Sequence, residues 1–367
     1  MKTVGDVAAW LESIAPIRLA ESWDNVGLLM GDPAVECPRV MTCLTLTRRV
    51  AEEAIAGEAT LVVAHHPILF RPVQRLRADW SETEAVWMLA RAGVAVYSAH
   101  TAYDNAPGGI NDQLAERLGL EQVGPLQERP GAAAYKVVVF CPREVREGVL
   151  AAAFEAGAGR IGAYTECSYS GVGVGTFRGD ETSKPAIGQA GRRETVREWR
   201  VELLCEQAAL AAVVEAIRRA HCYEEPAIDV YPLHPGEVRA GVGRLGRLSE
   251  PLTLAELARR VGERLKARRV DYAGDPERHV ERLAIVCGAG DELIAAAAQR
   301  GADAFVTGEA RYHRALAAES LGLGLILAGH DATERPAMEV LAARLARELD
   351  GVASWASRVE ADPLRSA

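Results

Sequence analysis

Three of the eight histidines stand where an apolar run stops. Leu61, Val62, Val63 and Ala64 lead into the pair His65–His66 and then Pro67; near the C-terminus residues 325–329 lead into His330, with Glu334 four residues on. Imidazoles clustered with carboxylates are what transition metals take as ligands. Both runs read as buried parallel strands that deliver side chains at their carboxyl ends, where open α/β sheets bind ligands. Adjacent side chains on an extended backbone point to opposite sides. Both histidines therefore reach one cleft only if the strand ends there and the chain turns, which Pro67 encourages. His330 and Glu334, spaced as i and i+4, meet at one end of that cleft if a helix begins just after His330.

The elements that must position these residues follow from the pattern around them. A strand is expected over 40–46 and a helix over 48–56, capped by Thr47; then come the strand ending at His65–His66, a helix over 82–92, and a strand over 94–98 that leads to His100 and Asp104. The C-terminal part repeats the plan: strand 283–287, helix 291–299, strand 304–307, helix 310–321, strand 323–328, and a long helix from about 334 to 349. Such alternation predicts βαβ units and a parallel sheet. Setting AHTAYDNAPGGINDQLAERL beside GHDATERPAMEVLAARL aligns His100 with His330 and Asp104 with Glu334, and VVAHHPILF faces FVTGEARYH. This predicts two related α/β halves facing each other across one cleft. It also promotes Asp104 from a turn residue to a candidate ligand. Three histidines and two carboxylates exceed what one catalytic zinc keeps; they suit two metals on the order of 3.5–4 Å apart, sharing a bridging carboxylate.

Between the halves the composition changes. After ERPGAAA the pattern reads strand 135–140, Ala-rich helix 145–156, a Gly-rich hairpin-like stretch SYSGVGVGTFRGD, strand 198–205, helix 208–221 and an extended piece over 227–233. This is the β-α-β-β-α-β order of a ferredoxin-like module. The expected organisation is a first domain over 1–126 plus 239–367, with an inserted α+β module over 127–238.

Composition narrows the function classes. Hydrophobic content of 49% with 25% charged residues is that of a soluble globular protein. The net charge of −9 argues against a nucleic-acid surface, which needs clustered Lys and Arg; a small anionic substrate would be met by local basic groups or by metal. Seven cysteines, odd in number and without a CxxC pair, suit reduced thiols in a cytosol. The start MKTVGDVAAWLESIAP lacks the features of a signal peptide, and no apolar run approaches the roughly 18 residues of a membrane span. A soluble, cytoplasmic protein with no nucleic-acid or membrane partner is expected.

ESWDNVGLLMGDP, VVAHHPILF, SAHTAYDNAPGGINDQLA, VTGEARYH and GHDATE resemble, in order, the motifs of the Nif-three-like family (NGG-one interacting factor three), whose bacterial members are called GTP cyclohydrolase I type 2 homologues. FEAGAGRIGAYTECSYSGVGVGTF and HCYEEPAIDVYPL are similar to the PII/CutA-like insert of the longer members. The resemblance covers nearly the whole chain. It implies a toroidal homohexamer with a dinuclear site in each subunit, held by His65, His66, Asp104, His330 and Glu334, with Glu334 as the bridge. Two divalent ions per subunit are expected, and mixed His and carboxylate ligands suit zinc, iron or manganese.

The implied activity is that of a metal-dependent hydrolase, in which hydroxide generated at the metals attacks C8 of GTP and formate leaves. The alternatives are non-enzymatic metal storage or delivery by a regulatory hexamer, or hydrolysis of phosphoesters or other nucleotides. His100 and His313 fall in family motifs outside the ligand positions and are expected to transfer protons or support the ligands. Thr45 in CLTLT departs from the Asp of many relatives, so a contact behind the ligands is expected to be changed or missing. Asp24 and Asn25 would organise the cleft wall, the glycines of CGAGDE resemble a helix-entry anion nest, and His221, His234 and His279 read as surface residues.

Overall fold

A computed structural model describes residues 1–129, 134–162, 164–234 and 239–365. The chain divides into two compact units, Met1–Arg129 with Val238–Ala367, and Pro130–Glu237. The strands in chain order are β1 (Gly27–Met30), β2 (Arg39–Cys43), β3 (Leu61–Ala64), β4 (Ala95–Ser98), β5 (Leu120–Glu128), β6 (Ala134–Cys141), β7 (Ser168–Arg178), β8 (Arg193–Glu206), β9 (Ile228–Pro232), β10 (Gly241–Thr253), β11 (Asp271–Ala273), β12 (His279–Ile285), β13 (Ala304–Thr307), β14 (Gly324–Leu327) and β15 (Ala353–Ala356).

The first unit holds two sheets, ordered β1-β4-β3-β2-β15 and β11-β14-β13-β12-β10-β5. In one, β2, β3 and β4 run parallel and β1 pairs antiparallel with β4. In the other, β12, β13 and β14 run parallel and β11 pairs antiparallel with β14. Segments β1–β4 and β11–β14 therefore follow one plan, and the two expected α/β halves are present. The strands β3, β4, β13 and β14 read as continuous apolar runs because both faces are buried. Val40, Leu61, Val63, Ala95 and Tyr97 join Leu283, Ile285, Ala304, Val306 and Ile326 in one shared core. Met41, Val62, Ala64 and Val96 face the other way, into a second cluster with Val50, Ala54 and Leu89.

Local chemistry sets most element ends. Thr47 caps the helix Arg48–Ala56, its side chain accepting from the Val50 N–H. The last long helix departs from the expected start. It runs His330–Glu348 and carries Pro336 inside, although a proline ordinarily marks a first turn. Gly329, with φ +91°, turns the chain from β14 directly into this helix.

The second unit is a four-stranded antiparallel sheet, β7-β8-β6-β9, with the helices Arg146–Glu155 and Gln207–Ala220. Val137, Val139, Cys141, Val201 and Leu203 pack against Val149, Ala153, Val213 and Ile217. The Gly-rich stretch is the single strand β7, not a hairpin on its own; it pairs with a β8 that begins five residues before the expected 198. His221 is not a surface residue: it is buried, its Nε2 lies 3.0 Å from the Phe140 carbonyl oxygen, and its Nδ1 accepts from the Tyr223 N–H.

Candidate metal centre

Four parallel-strand ends of the first unit feed one cluster. His65 and His66 follow β3, and the ladder continues briefly past each strand: the His65 N–H donates to the Cys43 carbonyl and the His66 N–H to that of Leu44. His100 opens the short helix His100–Asn105 after β4, which brings Asp104 to the same side one turn later. His330 opens the helix after β14 and Glu334 follows by one turn. Cys287 lies just beyond β12.

The five proposed ligands converge. Glu334 Oε2 lies 3.0 Å from His330 Nε2, 3.1 Å from His66 Nε2 and 3.8 Å from His65 Nε2. His65 Nε2 is also 3.6 Å from Asp104 Oδ1. The rings of His65 and His66, and of His66 and His330, have centroids 5.2 Å apart. His66, His330 and Glu334 form one group that can hold a metal ion, and His65, His66 and His100 form another. The donor set fits a cation. His65 is 0% exposed, yet both of its ring nitrogens lack a hydrogen-bond partner, as does the buried Asp104 Oδ1; native interiors rarely tolerate such groups.

Further contacts orient the histidine rings. Thr45, at the position where a contact was expected to be changed or missing, has its Oγ1 2.7 Å from His66 Nδ1. Glu309 Oε1 lies 3.0 Å from His330 Nδ1. Asp24 Oδ1 lies 2.7 Å from His100 Nδ1, and its other oxygen accepts from the Thr101 N–H and hydroxyl. Asp24 thus belongs to the cluster wall, as expected, and Asn25 donates to the Leu69 carbonyl beside it.

The electrostatics separate the members. Burial keeps the His65 imidazole well below its ordinary value, hence neutral with a free lone pair. Burial, reinforced by the Glu334 charge, pushes Asp104 up to about 7. Glu334 is buried too, but hydrogen bonds from His330 and His66 override that and hold its carboxyl well below the usual range. Its hydrogen bond in turn lifts His330 to about 9, against the opposing effect of burial. For His100 burial again works against the charged form, and the Asp24 hydrogen bond with the Asp104 and Asp24 charges outweighs it, so its pKa is raised.

The structure does not bring every candidate here. His313 is exposed near the start of the helix Tyr312–Ser320, against the ring of Tyr312. The CGAGDE turn is not an open anion nest. The N–H groups of Cys287, Gly288 and Gly290 are taken by Asn111 Oδ1, Thr333 Oγ1 and Thr307 Oγ1. Instead, Gly288 makes room: a Cβ there would lie 2.1 Å from Glu334 Oε1. Cys287, not foreseen, is buried beside Asp104, and burial together with the Asp104 and Glu334 charges pushes its thiol well up. Its only sequence signal was its place at the end of an apolar run. Glu309 was legible as the repeat counterpart of His66, but its role was not.

Comparison with known proteins gives a consistent picture. The family model for Duf34/NIF3 (NGG1p interacting factor 3) matches residues 2–363. A Mycobacterium tuberculosis protein named GTP cyclohydrolase 1 type 2 homolog is 42% identical over 315 residues, covering 85% of this chain and 83% of the relative. A Bacillus subtilis protein of the same name is 36% identical over 319 residues, covering 87% and 86%. Among solved structures, a Bacillus cereus protein related to NIF3 superposes with a TM-score of 0.79 at 33% identity, covering 100% of this chain and 99% of the other. A Staphylococcus aureus protein superposes with a TM-score of 0.82 at 27% identity, with the same coverage.

Proposed function

Because the chain belongs to the Duf34/NIF3 family, we propose that it is a dinuclear divalent-metal protein acting as a metal-dependent hydrolase, with GTP, the nucleotide in its relatives' name, as substrate. The observation that carries this reading is His65 facing Asp104, with three buried polar atoms unpartnered. Each such atom costs about 1–3 kcal/mol, and more if charged; cations held between them relieve that cost.

His65, His66, Asp104, His330 and Glu334 would hold two ions of zinc, iron or manganese, with Glu334, the carboxylate nearest to three imidazoles, shared between them. Ions bound there supply Lewis acidity and draw the ionisation of water toward neutral pH. Thr45 and Glu309 fix the His66 and His330 rings through Nδ1, which leaves each Nε2 aimed at the cluster. His100, held at Nδ1 by Asp24, keeps Nε2 to accept or return a proton. His313 takes no part in this reading.

Incubating metal-loaded protein with GTP tests it. Formate and dihydroneopterin triphosphate above the level of a His65→Ala control are expected. Bound metal without either product removes the attack on C8 of GTP and leaves metal storage or delivery, or hydrolysis of phosphoesters or other nucleotides, which phosphate release would separate. The toroidal hexamer belongs to the same reading, and a light-scattering mass of six copies is expected.

A further inference from the structure

Apart from the histidine cluster, the same unit carries a second feature, on the paired strands β5, β10 and β12. A depression of about 390 Å³ is lined by Arg247, Arg282 and Arg300, with Gln122, Gly124 and Gly246 among its other walls and no carboxylate in its lining. The chain carries a net charge of −9, so three guanidinium groups gathered at one depression run against the overall balance.

They are also poorly matched. Arg247 has one carboxylate in range, Glu281 at 3.9 Å. Arg300 donates to the Leu126 carbonyl, 2.9 Å away. The Arg282 guanidinium has no ion-pair or hydrogen-bond partner among the described residues; Asp303, the nearby acid, accepts from the backbone N–H groups of Glu281 and Arg282. The Arg282 guanidinium lies close against Gly301, where a Cβ would come within 3.0 Å of its Nη1.

The backbone is shaped around the same place. Arg247 pairs with Glu121 and Leu245 with Gly124, so β5 spends one residue more than β10. That bulge puts Gln122, a non-glycine residue, at φ +51°, and Gly246 packs closely beside it, where a Cβ would lie 3.0 Å from the Glu121 carbonyl oxygen. Bulges re-aim side chains and open a ladder, and non-glycine residues held at positive φ gather at functional sites.

We propose that this depression is an anion site for a phosphate chain, either inorganic polyphosphate or the polyphosphate tail of a nucleotide. Guanidinium forks match phosphate oxygens in pairs. The lining holds no aromatic ring on which a base could stack, so the phosphates are the recognised part.

Calorimetric titration of the metal-free full chain with sodium tripolyphosphate, then with GTP and ATP, tests this. Saturable binding is expected, weakening as salt rises, with tripolyphosphate at least as tight as either nucleotide. Equal affinities for all three identify the phosphate tail as sufficient; tighter tripolyphosphate favours the inorganic source. Arg282→Gln and Arg300→Gln should each weaken binding by about tenfold, the loss expected for one charge-assisted partner, while His330→Ala leaves it unchanged. Arg300 is exposed, so its variant keeps the test valid if Arg282→Gln fails to fold. No saturable binding at millimolar tripolyphosphate, or full affinity in the arginine variants, overturns the proposal. So does binding that His330→Ala abolishes, because it would then belong to the histidine cluster.

Discussion

In the first half of the larger unit, the strand ending at Ala64 is followed by His65 and His66; in the second, the strand ending at Thr307 is followed by Gly308 and Glu309. The plan is shared and the contributions are not. A Cβ on Gly308 would lie 2.6 Å from the Gly288 carbonyl oxygen and 2.9 Å from the His330 Cα, so backbone occupies the space that a counterpart of His65 would need. That close approach brings the start of the His330 helix to the cluster. Glu309, in the place of His66, does not join the cluster but turns to His330 Nδ1. One half supplies ligands from a strand end, and the other gives up side chains there to seat a helix that supplies them.

The helix entries differ by one residue. The His100 N–H donates to the His65 carbonyl and the Gly329 N–H to that of Gly308. By ladder position the counterpart of His100 is therefore Gly329, whereas by helix position it is His330. Both ladder positions take positive φ, +23° at His100 and +91° at Gly329. His330 meets Glu334 one turn on, while His100 is held by Asp24.

The sharpest way to break the comparison is to neutralise one carboxylate in each half. Glu334→Gln removes the group nearest to three imidazoles, and metal affinity should fall by more than about 100-fold, beyond what losing an orienting contact costs. Asp104→Asn removes the carboxylate that faces His65 and should leave one ion of two. Elemental analysis of the purified variants reads both, and equal losses would mean the halves do not share the site as described.

Protonation gives the next largest effect. His330, raised to about 9 without metal, must shed a proton to bind an ion through Nε2. Affinity should therefore fall as pH drops below about 9, by roughly tenfold per unit for one proton. The fall should steepen below about 7, where Asp104 is protonated too. Competition titrations at several pH values test this; a flat profile contradicts it.

Gly308→Ala should destabilise the metal-free protein by about 1–3 kcal/mol, as overpacking against backbone does, read by urea unfolding. Near-wild-type stability would show that the second half tolerates a side chain at that strand end. The smallest contrast lies in the two Nδ1 contacts. Glu309→Gln should weaken metal binding by about tenfold and Thr45→Val by less, because an ionised acceptor makes the stronger hydrogen bond; the reverse order would place the tighter support in the first half.

Much of this was legible along the chain because it is local. Apolar runs of a few residues buried on both faces, the i, i+4 spacings of His100 with Asp104 and His330 with Glu334, and the Thr47 cap each need only near neighbours. The strand-end positions of His65, His66 and His330 were readable for the same reason, and the family motifs supplied the grouping of these three with Asp104 and Glu334. What the chain hid depends on distant partners and on how closely backbones approach. His66 meets Glu334 across 268 positions, and the support of His330 by Glu309, the burial of Cys287 and His221, and the exposure of His313 are set by packing.

By itself the sequence determined which residues stand at the carboxyl ends of the strands, since hydrophobic periodicity and helix spacing are written locally. Only the tertiary structure decided which strand end yields its side chain to backbone, at Gly308, and which turn makes room for a carboxylate, at Gly288. The physical reason is steric: a segment can be approached that closely only at a residue without a Cβ, and which segments meet is decided by the assembled core.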